Sequence, residues 1–518
     1  MREVWHVAAE NDWIPRGKVG GVGDVIRDLP PALAATGCRV RVVVPAYGAF
    51  HHDPGARPLV TIEGQFAGEP FQAKAWRLAG STQSLEQVVI DHPRLCPGQP
   101  GQIYHSDSPN RPFETDSSKF AFFCAAVAAW LNQEEAVPPI VHLHDWHTGF
   151  LPWLRACAPD DAPIRGCRMV FTIHNLAYQG LRPLAGTDAS LAAWFPEYLD
   201  LADATLDPHD ARLANPMAAA IRLADAVATV SPTYAEEIRQ PNDPARGFHG
   251  GEGLESLLQR KAEAGRLVGI LNGCEYPDLP EPRPWDDLLD AILNARGLLE
   301  GRPILQRHIE SLRGERPGTV LLSIGRMVDQ KVALFLEPTA ACPTALDGLL
   351  DHVGDDDLFI MLGSGDPALE ALFSTIGERR KNFLFLRGYA EALSELLYRG
   401  SDVFLMPSTF EPCGISQMLA LRAGQPCVVH GVGGLKDTVK DGETGFVFSG
   451  ASRRAQAEGL VNAVGRALAL RRSDPLAWAR MSEHARAQRF SWDRAARRTV
   501  EALYDPLLSQ DDVGARHA

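Results

Sequence analysis

Short apolar runs recur along the first half of the chain, and longer amphipathic stretches separate them. Six runs rich in valine and isoleucine cover residues 4–9, 39–45, 87–91, 139–144, 168–174 and 226–231. Continuous apolar runs of this length are typical of parallel strands that are buried on both faces. The stretch 116–135, DSSKFAFFCAAVAAWLNQEE, has the length of a helix. The alternation predicts an α/β domain with helices covering a parallel sheet.

The pattern is interrupted at 274–287, CEYPDLPEPRPWDD, where proline and acidic residues replace the periodicity. This segment predicts a connection between two domains. Further apolar runs follow at 319–325, 358–363, 383–388, 402–408 and 426–431, and 474–508 has helical spacing. We therefore predict two Rossmann-like doubly wound domains, 1–273 and 274–490. Residues 491–518 follow as a C-terminal helix and then a polar tail, SQDDVGARHA, at 509–518. Ligands of such sheets bind at the carboxyl ends of the strands, so two facing domains would bind substrate in a cleft.

Composition narrows the function. The 518 residues carry a formal charge of −14, which argues against general binding of nucleic acid or anionic membranes. The start, MREVWHVAAENDW, predicts a strand and not a signal peptide, and no apolar run is long enough to cross a membrane. Nine scattered cysteines without a C-x-x-C pair favour reduced thiols and the cytoplasm.

A glycine-rich loop, KVGGVGD, follows the first predicted strand at 18–24 and opens a helix. Glycines of this density let a backbone approach a ligand closely, and Lys18 beside them favours an anionic one. A tight strand-to-helix turn is the alternative, because the loop is neither a P-loop nor a G-x-G-x-x-G motif.

Two further predicted strands end in polar residues. In HLHDWHTG, His144 and His147 have a spacing that suits a metal, but nothing nearby completes a ligand set, so we expect no metal and favour binding of a hydroxyl-rich substrate. In FTIHNLAYQG, His174 and Asn175 follow the next strand, where histidine suits hydrogen bonding or proton transfer. Polar ends on strands of one sheet predict a site.

Cations stand at the start of a helix in SIGRMVDQK. Arg326 and Lys331 oppose the helix dipole there, which is understandable if an anion binds between them. An ordinary solvated pair of cations is the alternative.

The most specific stretch is MPSTFEPCGISQMLAL, where Glu411, Cys413 and Gly414 follow a buried strand. A carboxylate there suits sugar hydroxyls or a developing positive charge. A catalytic role for the thiol is disfavoured, because no partner histidine is evident. The next strand end, HGVGGLKDTV, adds Gly433 and Gly434, which could hold a phosphate.

Taken together and in order, these motifs resemble bacterial glycogen synthases and plant starch synthases. The resemblance spans about residues 4–500 and rests on KVGGVGDV, HLHDWHTG, FTIHNLAYQG, ADAVATVSPTYAEEI, ILNG, QK after an arginine, LGSGDP, GYAEAL, FEPCGISQ and GGLKDTV. It implies the glycosyltransferase B-type fold, with the last helices crossing back onto the first domain. It also implies transfer of glucose from ADP-glucose to the non-reducing end of an α-1,4-glucan such as glycogen, with retention and without a metal or other cofactor.

The resemblance also implies roles for single residues. Lys18, Gly20 and Gly21 would contact the donor's phosphates and sugar, and Arg326 and Lys331 would neutralise the departing diphosphate. The sugar and base contacts would come from Glu411, near the anomeric carbon, His174, on the transferring glucose, and Asn272 and Tyr389, the latter stacking on adenine. Asp145 would lie on the acceptor side. The remaining motif positions that we expect to line the substrate site are Asp24, Asn175, Cys413, Gly414, Gly433 and Gly434.

Five positions depart from the family's usual motifs, which have a serine at position 325, a glycine at 332, arginines at 409 and 430 and a lysine at 218. They are Gly325, Val332, Thr409, His430 and Ala218. They bear on nucleotide preference, acceptor preference and rate, while Lys18, Arg326, Lys331, His174 and Glu411 are retained.

Three other functions fit parts of the sequence. The first is a related retaining glycosyltransferase with another nucleotide sugar or a small acceptor. The second is a catalytically weak glucan-binding paralogue, against which the retained leaving-group cations argue. The third is a dinucleotide-dependent oxidoreductase, which is disfavoured because no G-x-G-x-x-G with a following ribose-binding acid is present.

Overall fold

A computed structural model describes residues 2–277, 283–295, 303–388 and 390–514. The chain divides into two compact units. The first consists of Met1–Pro241, Gly250–Gly273 and Trp492–Ala518, and the second of Asn242–His249 and Cys274–Ser491. Each unit has its own sheet.

The first unit contains a nine-stranded sheet with the order β11-β10-β7-β6-β1-β2-β5-β4-β3. The strands of this unit are β1 (Glu3–Val7), β2 (Arg39–Pro45), β3 (Arg57–Phe66), β4 (Glu69–Arg77), β5 (Leu85–Asp91), β6 (Ile140–His144), β7 (Arg168–Ile173), β8 (Arg182–Pro183), β9 (Leu213–Ala214), β10 (Ala226–Thr229) and β11 (Leu267–Gly269). The short β8 and β9 pair separately. All six strands that the apolar runs predict are present. Wherever two of these six strands pair, they run parallel.

The hairpin of β3 and β4 is a part of this sheet that the sequence analysis did not predict. Both strands are antiparallel and extend the sheet beyond β5. Their residues alternate between buried and exposed positions, because one face of this edge meets solvent. The search for continuous apolar runs therefore passed over them.

Helices connect these strands. They are α1 (Gly21–Ala35), α2 (Glu114–Gln133), α3 (Leu151–Cys157), α4 (Leu191–Trp194), α5 (Pro216–Leu223), α6 (Pro232–Glu237) and α7 (Glu255–Glu263). The glycine-rich loop leads directly into α1, whose N-cap is Gly20. The predicted helix 116–135 is confirmed as α2, shifted by two residues.

The second unit contains a six-stranded parallel sheet with the order β14-β13-β12-β15-β16-β17. Its strands are β12 (Val320–Ile324), β13 (Leu358–Gly363), β14 (Phe383–Arg387), β15 (Val403–Met406), β16 (Cys427–His430) and β17 (Gly445–Phe448). Its helices are α8 (Trp285–Asn294), α9 (Pro303–Ser311), α10 (Asp329–Leu336), α11 (Ala345–Val353), α12 (Pro367–Arg379), α13 (Glu391–Gly400), α14 (Ser416–Ala423), α15 (Gly433–Thr438), α16 (Arg453–Ser473) and α17 (Pro475–Ala487). Because α8 begins at Trp285, the predicted connection 274–287 is wrong at its end.

Both faces of this second sheet are covered by apolar layers. Neighbouring residues of β12 point to opposite faces, so that Leu321 packs with Phe359 and Val403 in one layer. Leu322 packs with Ile360 in the other layer. This two-sided burial explains why the strands have continuous apolar sequences and why the α/β prediction is confirmed.

The end of the chain belongs to the first unit. Helix α18 (Trp492–Thr499) packs against α1, a π turn follows at Val500–Tyr504, and α19 (Asp505–Gly514) completes the described chain. The sequence analysis predicts a polar tail over 509–518, but helix α19 extends through most of it. Within the described residues, no helix combines the length and the apolar character that a membrane span requires.

Candidate active site

The second unit brings two predicted motifs together where its strand order reverses. Strands β12 and β15 are neighbours, with β13 and β14 on one side and β16 and β17 on the other. Open α/β sheets bind ligands at the carboxyl ends of strands at such a reversal. The loop after β12 carries Arg326 and leads to Lys331 in the first turn of α10, and the loop after β15 carries Glu411.

Lys331 and Glu411 form an ion pair at this reversal. The Nζ of Lys331 contacts Oε2 of Glu411, and the hydroxyl of Ser408 donates to the same oxygen at 3.0 Å. The two charged side chains are only 17 % and 8 % exposed. The amide of Gln330 donates to the carbonyl oxygen of Phe410 at 2.9 Å and fastens the two loops to each other. Two residues that the sequence assigns to one site are therefore in direct contact.

Two positions that depart from the family motifs support the Glu411 loop. The N–H of Thr409 donates to the carbonyl oxygen of Gln330 at 2.8 Å. Nδ1 of the buried His430 donates to the carbonyl oxygen of Ser408 at 2.9 Å. Burial lowers the pKa of His430, so that the ring is neutral. The hydroxyl of Thr409 also donates to the carbonyl oxygen of Gln330, at 3.3 Å, so neutral side chains at both positions bond to the backbone of these loops.

Arg326 differs from Lys331 in its surroundings. Its side chain is exposed, and no partner for its guanidinium exists in the described part of the chain. Gly325 before it has open space where a Cβ would lie, whereas Val332 is buried in the core. In the first unit, Ala218 is fully buried, so a lysine at that position would have to be accommodated in an apolar interior.

The glycines near Glu411 have conformational reasons of their own. Gly414 and Gly433 adopt φ values of +75° and +42°. A Cβ on Gly434 would lie 2.2 Å from the carbonyl oxygen of the buried Cys413. The N–H of Gly434 donates to the carbonyl oxygen of Glu411 at 3.1 Å, so this group is already used in the structure. Substrate binding by these four residues stays a prediction.

In the first unit, the glycine-rich loop is folded around a carboxylate. The N–H groups of Val19 and Gly20 both donate to Oε2 of Glu10, at 2.7 and 2.6 Å, and Tyr104 donates to Oε1 at 2.7 Å. Gly21 is exposed, with open space where a Cβ would lie. The loop therefore has the backbone geometry that binds an anionic oxygen, and Glu10 supplies that oxygen here.

Lys18 is part of an ion-pair cluster beside this loop. Its Nζ lies 2.5 Å from Asp24 and 3.7 Å from Asp12. Burial raises the pKa of Asp24, while the hydrogen bond and charge of Lys18 act in the opposite direction. The predicted binding residues Lys18 and Asp24 thus contact each other in the ligand-free chain.

Asp145 shapes the turn that presents His174. Its carboxylate accepts hydrogen bonds from the N–H groups of His174, at 2.7 Å, and Asn175, at 3.4 Å. Asp145 itself has φ +56° and ψ 179°, an unusual conformation for a residue with a side chain. Burial raises its pKa to about 7, against the lowering effect of these two hydrogen bonds. The structure brings these three predicted residues together.

Behind His174 lies a buried cluster of histidines from neighbouring strands. Nε2 of His174 is 2.9 Å from Nδ1 of His144, whose Nε2 is 3.0 Å from Nδ1 of His6. His142 lies beside them and is 2.7 Å from the hydroxyl of Tyr504. Burial lowers the pKa of His6 and His174 to about 3 and holds those of His142 and His144 well below the ordinary value. All four rings are therefore neutral at physiological pH.

Three of these histidines also have the spacing of metal ligands. One nitrogen of each of His6, His142 and His144 lies within 4.8 Å of the others. Of the two residues whose spacing in the sequence suggests a metal, His144 belongs to this group, whereas His147 packs on Phe120 and Tyr104. The hydrogen bonds among the rings already use nitrogens that a metal would need.

Two further residues, Asn272 and Tyr389, are predicted to contact the sugar-nucleotide donor. Asn272 is half-buried after β11, and its N–H donates to the carbonyl oxygen of Val230. Tyr389 lies outside the described residues. The role of each stays a prediction.

The sequence analysis missed several residues that hold the candidate groups within one unit or the other. They are Glu10, Tyr104, His6, Tyr504, Ser408 and Gln330. An acidic residue directly after the first buried strand was a usable signal for Glu10. Tyr504 had no such signal, because it follows its histidine partners by more than 300 residues.

Comparisons with known proteins agree with these features. A family model described as the starch synthase catalytic domain matches residues 3–260, and one described as glycosyl transferases group 1 matches 318–469. A glycogen synthase of Anaeromyxobacter sp. (strain Fw109-5) is 36 % identical over 98 % of this chain and 100 % of its own length. One from Thioalkalivibrio sulfidiphilus (strain HL-EbGR7) is 35 % identical over 97 % and 99 %.

A solved structure is similar over the same length. It is the catalytic domain of starch synthase IV from Arabidopsis thaliana bound to ADP and acarbose. The TM-score is 0.76 at 28 % identity, and the match covers 98 % of this chain and 99 % of that one. The predicted glycosyltransferase fold and the family resemblance are thereby confirmed: the chain belongs to the glycogen and starch synthase family, and it is a hexosyltransferase with glycogen or starch synthase function.

Proposed function

We propose that this synthase transfers glucose from ADP-glucose to the non-reducing end of an α-1,4-glucan, with retention of configuration. The observation that carries the proposal is the Lys331–Glu411 pair at the strand reversal of the second unit, together with the exposed Arg326. The ligands named for the Arabidopsis relative, ADP and acarbose, support an adenine nucleotide and a glucan-like sugar.

The cations suit the leaving group. Departure of ADP places negative charge on the diphosphate, and preorganised donors lower the barrier for such a step. Arg326 is available because no described residue is paired with it, and Lys331 stands in the first turn of α10, where the helix dipole also favours an anion. We assign to these two residues the neutralisation of the departing diphosphate.

Glu411 suits the sugar. As glucose separates from the diphosphate its ring develops positive charge, which a nearby carboxylate stabilises. Ser408 and Lys331 hold one oxygen of Glu411, so the direction of the carboxylate is fixed before substrate binds. We assign to Glu411 the binding of the donor glucose near its anomeric carbon.

The remaining assigned contacts come mostly from the first unit. We assign contacts with the transferring glucose to His174 and contacts with the donor to Lys18, Gly20 and Gly21. Asn272 and Tyr389 would bind the nucleotide, and Asp145, on the acceptor side, would act through the backbone of His174 that it holds.

The compartment can be proposed from the thiols. None of the nine cysteines forms a disulfide; five lie in the first unit and four in the second. Free thiols in this number favour a reducing environment, and we therefore propose the cytoplasm.

The test measures nucleotide release from ADP-glucose and from UDP-glucose, each with and without glycogen. The wild type, Glu411→Ala and a matched control, Glu378→Ala on the exposed side of α12, are compared. We expect glycogen-dependent release of ADP that Glu411→Ala abolishes and Glu378→Ala retains. Release from UDP-glucose alone, or only with a small acceptor sugar, would replace the proposed substrates. No release from either donor would contradict the proposal.

A further inference from the structure

The four buried histidines form one continuous chain of hydrogen bonds with two hydroxyl groups. Thr172 Oγ1 lies 2.6 Å from His142 Nε2, and His142 Nδ1 lies 2.7 Å from the hydroxyl of Tyr504. That hydroxyl is 3.3 Å from His6 Nε2. The 3.0 Å and 2.9 Å contacts described above continue the chain from His6 through His144 to His174. All of these residues belong to the first unit.

Each neutral imidazole in such a chain carries one proton, so it donates at one nitrogen and accepts at the other. The tautomer of one ring therefore determines the tautomer of the next. When the hydroxyl of Tyr504 accepts from one ring and donates to the other, two arrangements satisfy all five contacts, and they differ in direction. In one, His174 presents an Nδ1–H donor at the end of the chain, and in the other it presents a bare Nδ1 acceptor.

Thr172 decides between the two directions. Its side chain is buried, and His142 is its only hydrogen-bond partner in the part of the chain that the structure describes. If Thr172 accepted a hydrogen bond from His142 Nε2–H, its own buried O–H would have no acceptor, which costs free energy. Thr172 therefore donates to His142 Nε2, and His142 Nδ1–H donates to Tyr504. The buried hydroxyl of Tyr504 has only one other partner among the described residues, His6 Nε2, so it donates there, and every ring carries its proton on Nδ1.

The exposed end of the chain is His174. It is 9 % exposed, whereas His6, His142 and His144 are at most 2 % exposed. Asp145 fixes the backbone of His174 from the other side through its 2.7 Å hydrogen bond. The ring of His174 is thus held at both its backbone and its Nε2, and only Nδ1 is left for a ligand.

We propose that Thr172 and Tyr504 are positioning residues, which act through His142, His6 and His144 to fix His174 as an Nδ1–H donor toward an oxygen of the bound sugar. The sugar as ligand rests on the proposed function, whereas the tautomers do not. Tyr504 comes from the π turn after α18, a rare geometry that is often found at functional sites. The C-terminal segment thereby contributes to the site without contacting substrate.

The first measurement reads the tautomers in the ligand-free, full-length protein. Two-bond ¹H–¹⁵N correlation spectra of ¹⁵N-histidine-labelled protein show which ring nitrogen is protonated, and the His174→Gln variant assigns His174. We expect the Nδ1–H form at His174. The Nε2–H form in the wild type would overturn the proposal, and so would the binding of added Zn²⁺ to the rings of His6, His142 and His144.

The second measurement removes the hydroxyl group with which the chain of hydrogen bonds begins. Thr172→Val removes the hydroxyl with little change of shape, and Thr172→Ser retains it as the matched control. We expect Thr172→Val to give a mixture of tautomers at His174 and to raise the KM for ADP-glucose about five- to tenfold with kcat within about twofold, the size of one neutral hydrogen bond. Thr172→Ser should restore both readouts, and Tyr504→Phe should behave like Thr172→Val.

The outcomes separate the two proposals. A single unchanged Nδ1–H form in Thr172→Val and Tyr504→Phe would overturn the positioning role. An absence of any transfer from ADP-glucose in the wild type would overturn the proposed substrate, while the spectra of the same protein would still report the tautomers.

Discussion

The candidate groups of the two units are held by different interactions. In the first, His174 is held by a buried chain of neutral rings, and burial keeps the pKa of each ring low. In the second, Lys331 and Glu411 face each other as charges and Arg326 stands exposed beside them. Neutral hydrogen bonds fix direction, whereas charges stabilise a change of charge. Under the proposed function, His174 of the first unit would orient the sugar, whereas Arg326 and Lys331 of the second would stabilise the departing diphosphate.

Acid should affect the first unit most, and this is the largest effect that we expect. Folding lowers the pKa of these histidines. As the pH falls through the unfolded value of 6.5, the unfolded chain binds more protons than the folded one, and the free energy of unfolding decreases. One pH unit below that value costs about 1.4 kcal/mol for each buried ring, and the cluster sums to several kcal/mol. Amide hydrogen exchange at pH 7.0 and pH 5.5 measures this loss of stability separately in each unit.

Peptides from β6 and β7 should therefore open more readily at pH 5.5, while peptides from β12 and β13 should change little. His430 is the one histidine of the described second unit whose pKa burial lowers. An equal loss of protection in both units would contradict the comparison.

Removing the exposed cation should have the next largest effect. Arg326→Ala is expected to lower kcat by about 10²–10³-fold, the usual result of removing one preorganised donor to a developing negative charge. Steady-state release of ADP measures it. Arg379→Ala, an exposed arginine at the end of α12, is the control and should retain wild-type activity. Equal losses in both variants would show a general effect of surface charge.

Breaking the ion pair on one side should destabilise the second unit. Lys331→Met leaves Glu411 with little exposure and without its cation, and we expect a loss of about 2 kcal/mol in the free energy of unfolding. The double variant Lys331→Met/Glu411→Gln removes both charges and should recover most of that loss. Denaturant unfolding of the wild type, both single variants and the double variant measures the coupling energy, which would be near zero if the pair contributed nothing.

The smallest effect tests the glycine-rich loop. Gly21→Ala meets open space and needs no positive φ, so we expect it to increase stability by about 0.5 kcal/mol. If the donor approaches this backbone, the KM for ADP-glucose should nevertheless rise several-fold. Thermal unfolding and steady-state kinetics on the same preparation separate the two effects, and an unchanged KM would remove Gly21 from the site.

Much of this comparison can be predicted from the sequence. Continuous apolar runs located the parallel strands, because burial on both faces of a sheet leaves no polar alternation. Polar residues at the ends of those runs marked Lys331, Glu411 and His174 as candidate site residues, whose roles stay predictions. These predictions use residues that are close in sequence, or polar residues that follow strands of the same sheet.

What the sequence could not provide are contacts between distant segments. Tyr504 reaches His142 from the far end of the chain, and no local pattern marks either as the partner of the other. The direction of the histidine chain depends on Thr172, a β-branched residue that is ordinary in a strand. Likewise, Glu10 occupies the N–H groups of the glycine loop, and the loop's own sequence does not reveal it.

The most direct test of the contrast compares conservative and charge-removing variants in one set of steady-state measurements. Lys331→Arg and Lys331→Gln represent the second unit, and Thr172→Ser and Thr172→Val represent the first. The account predicts that Lys331→Gln lowers kcat at least about 100-fold while Lys331→Arg retains more of it, and that Thr172→Val changes mainly the KM for ADP-glucose. A Lys331→Gln enzyme with kcat close to that of the wild type would contradict the claim that the second unit acts through charge.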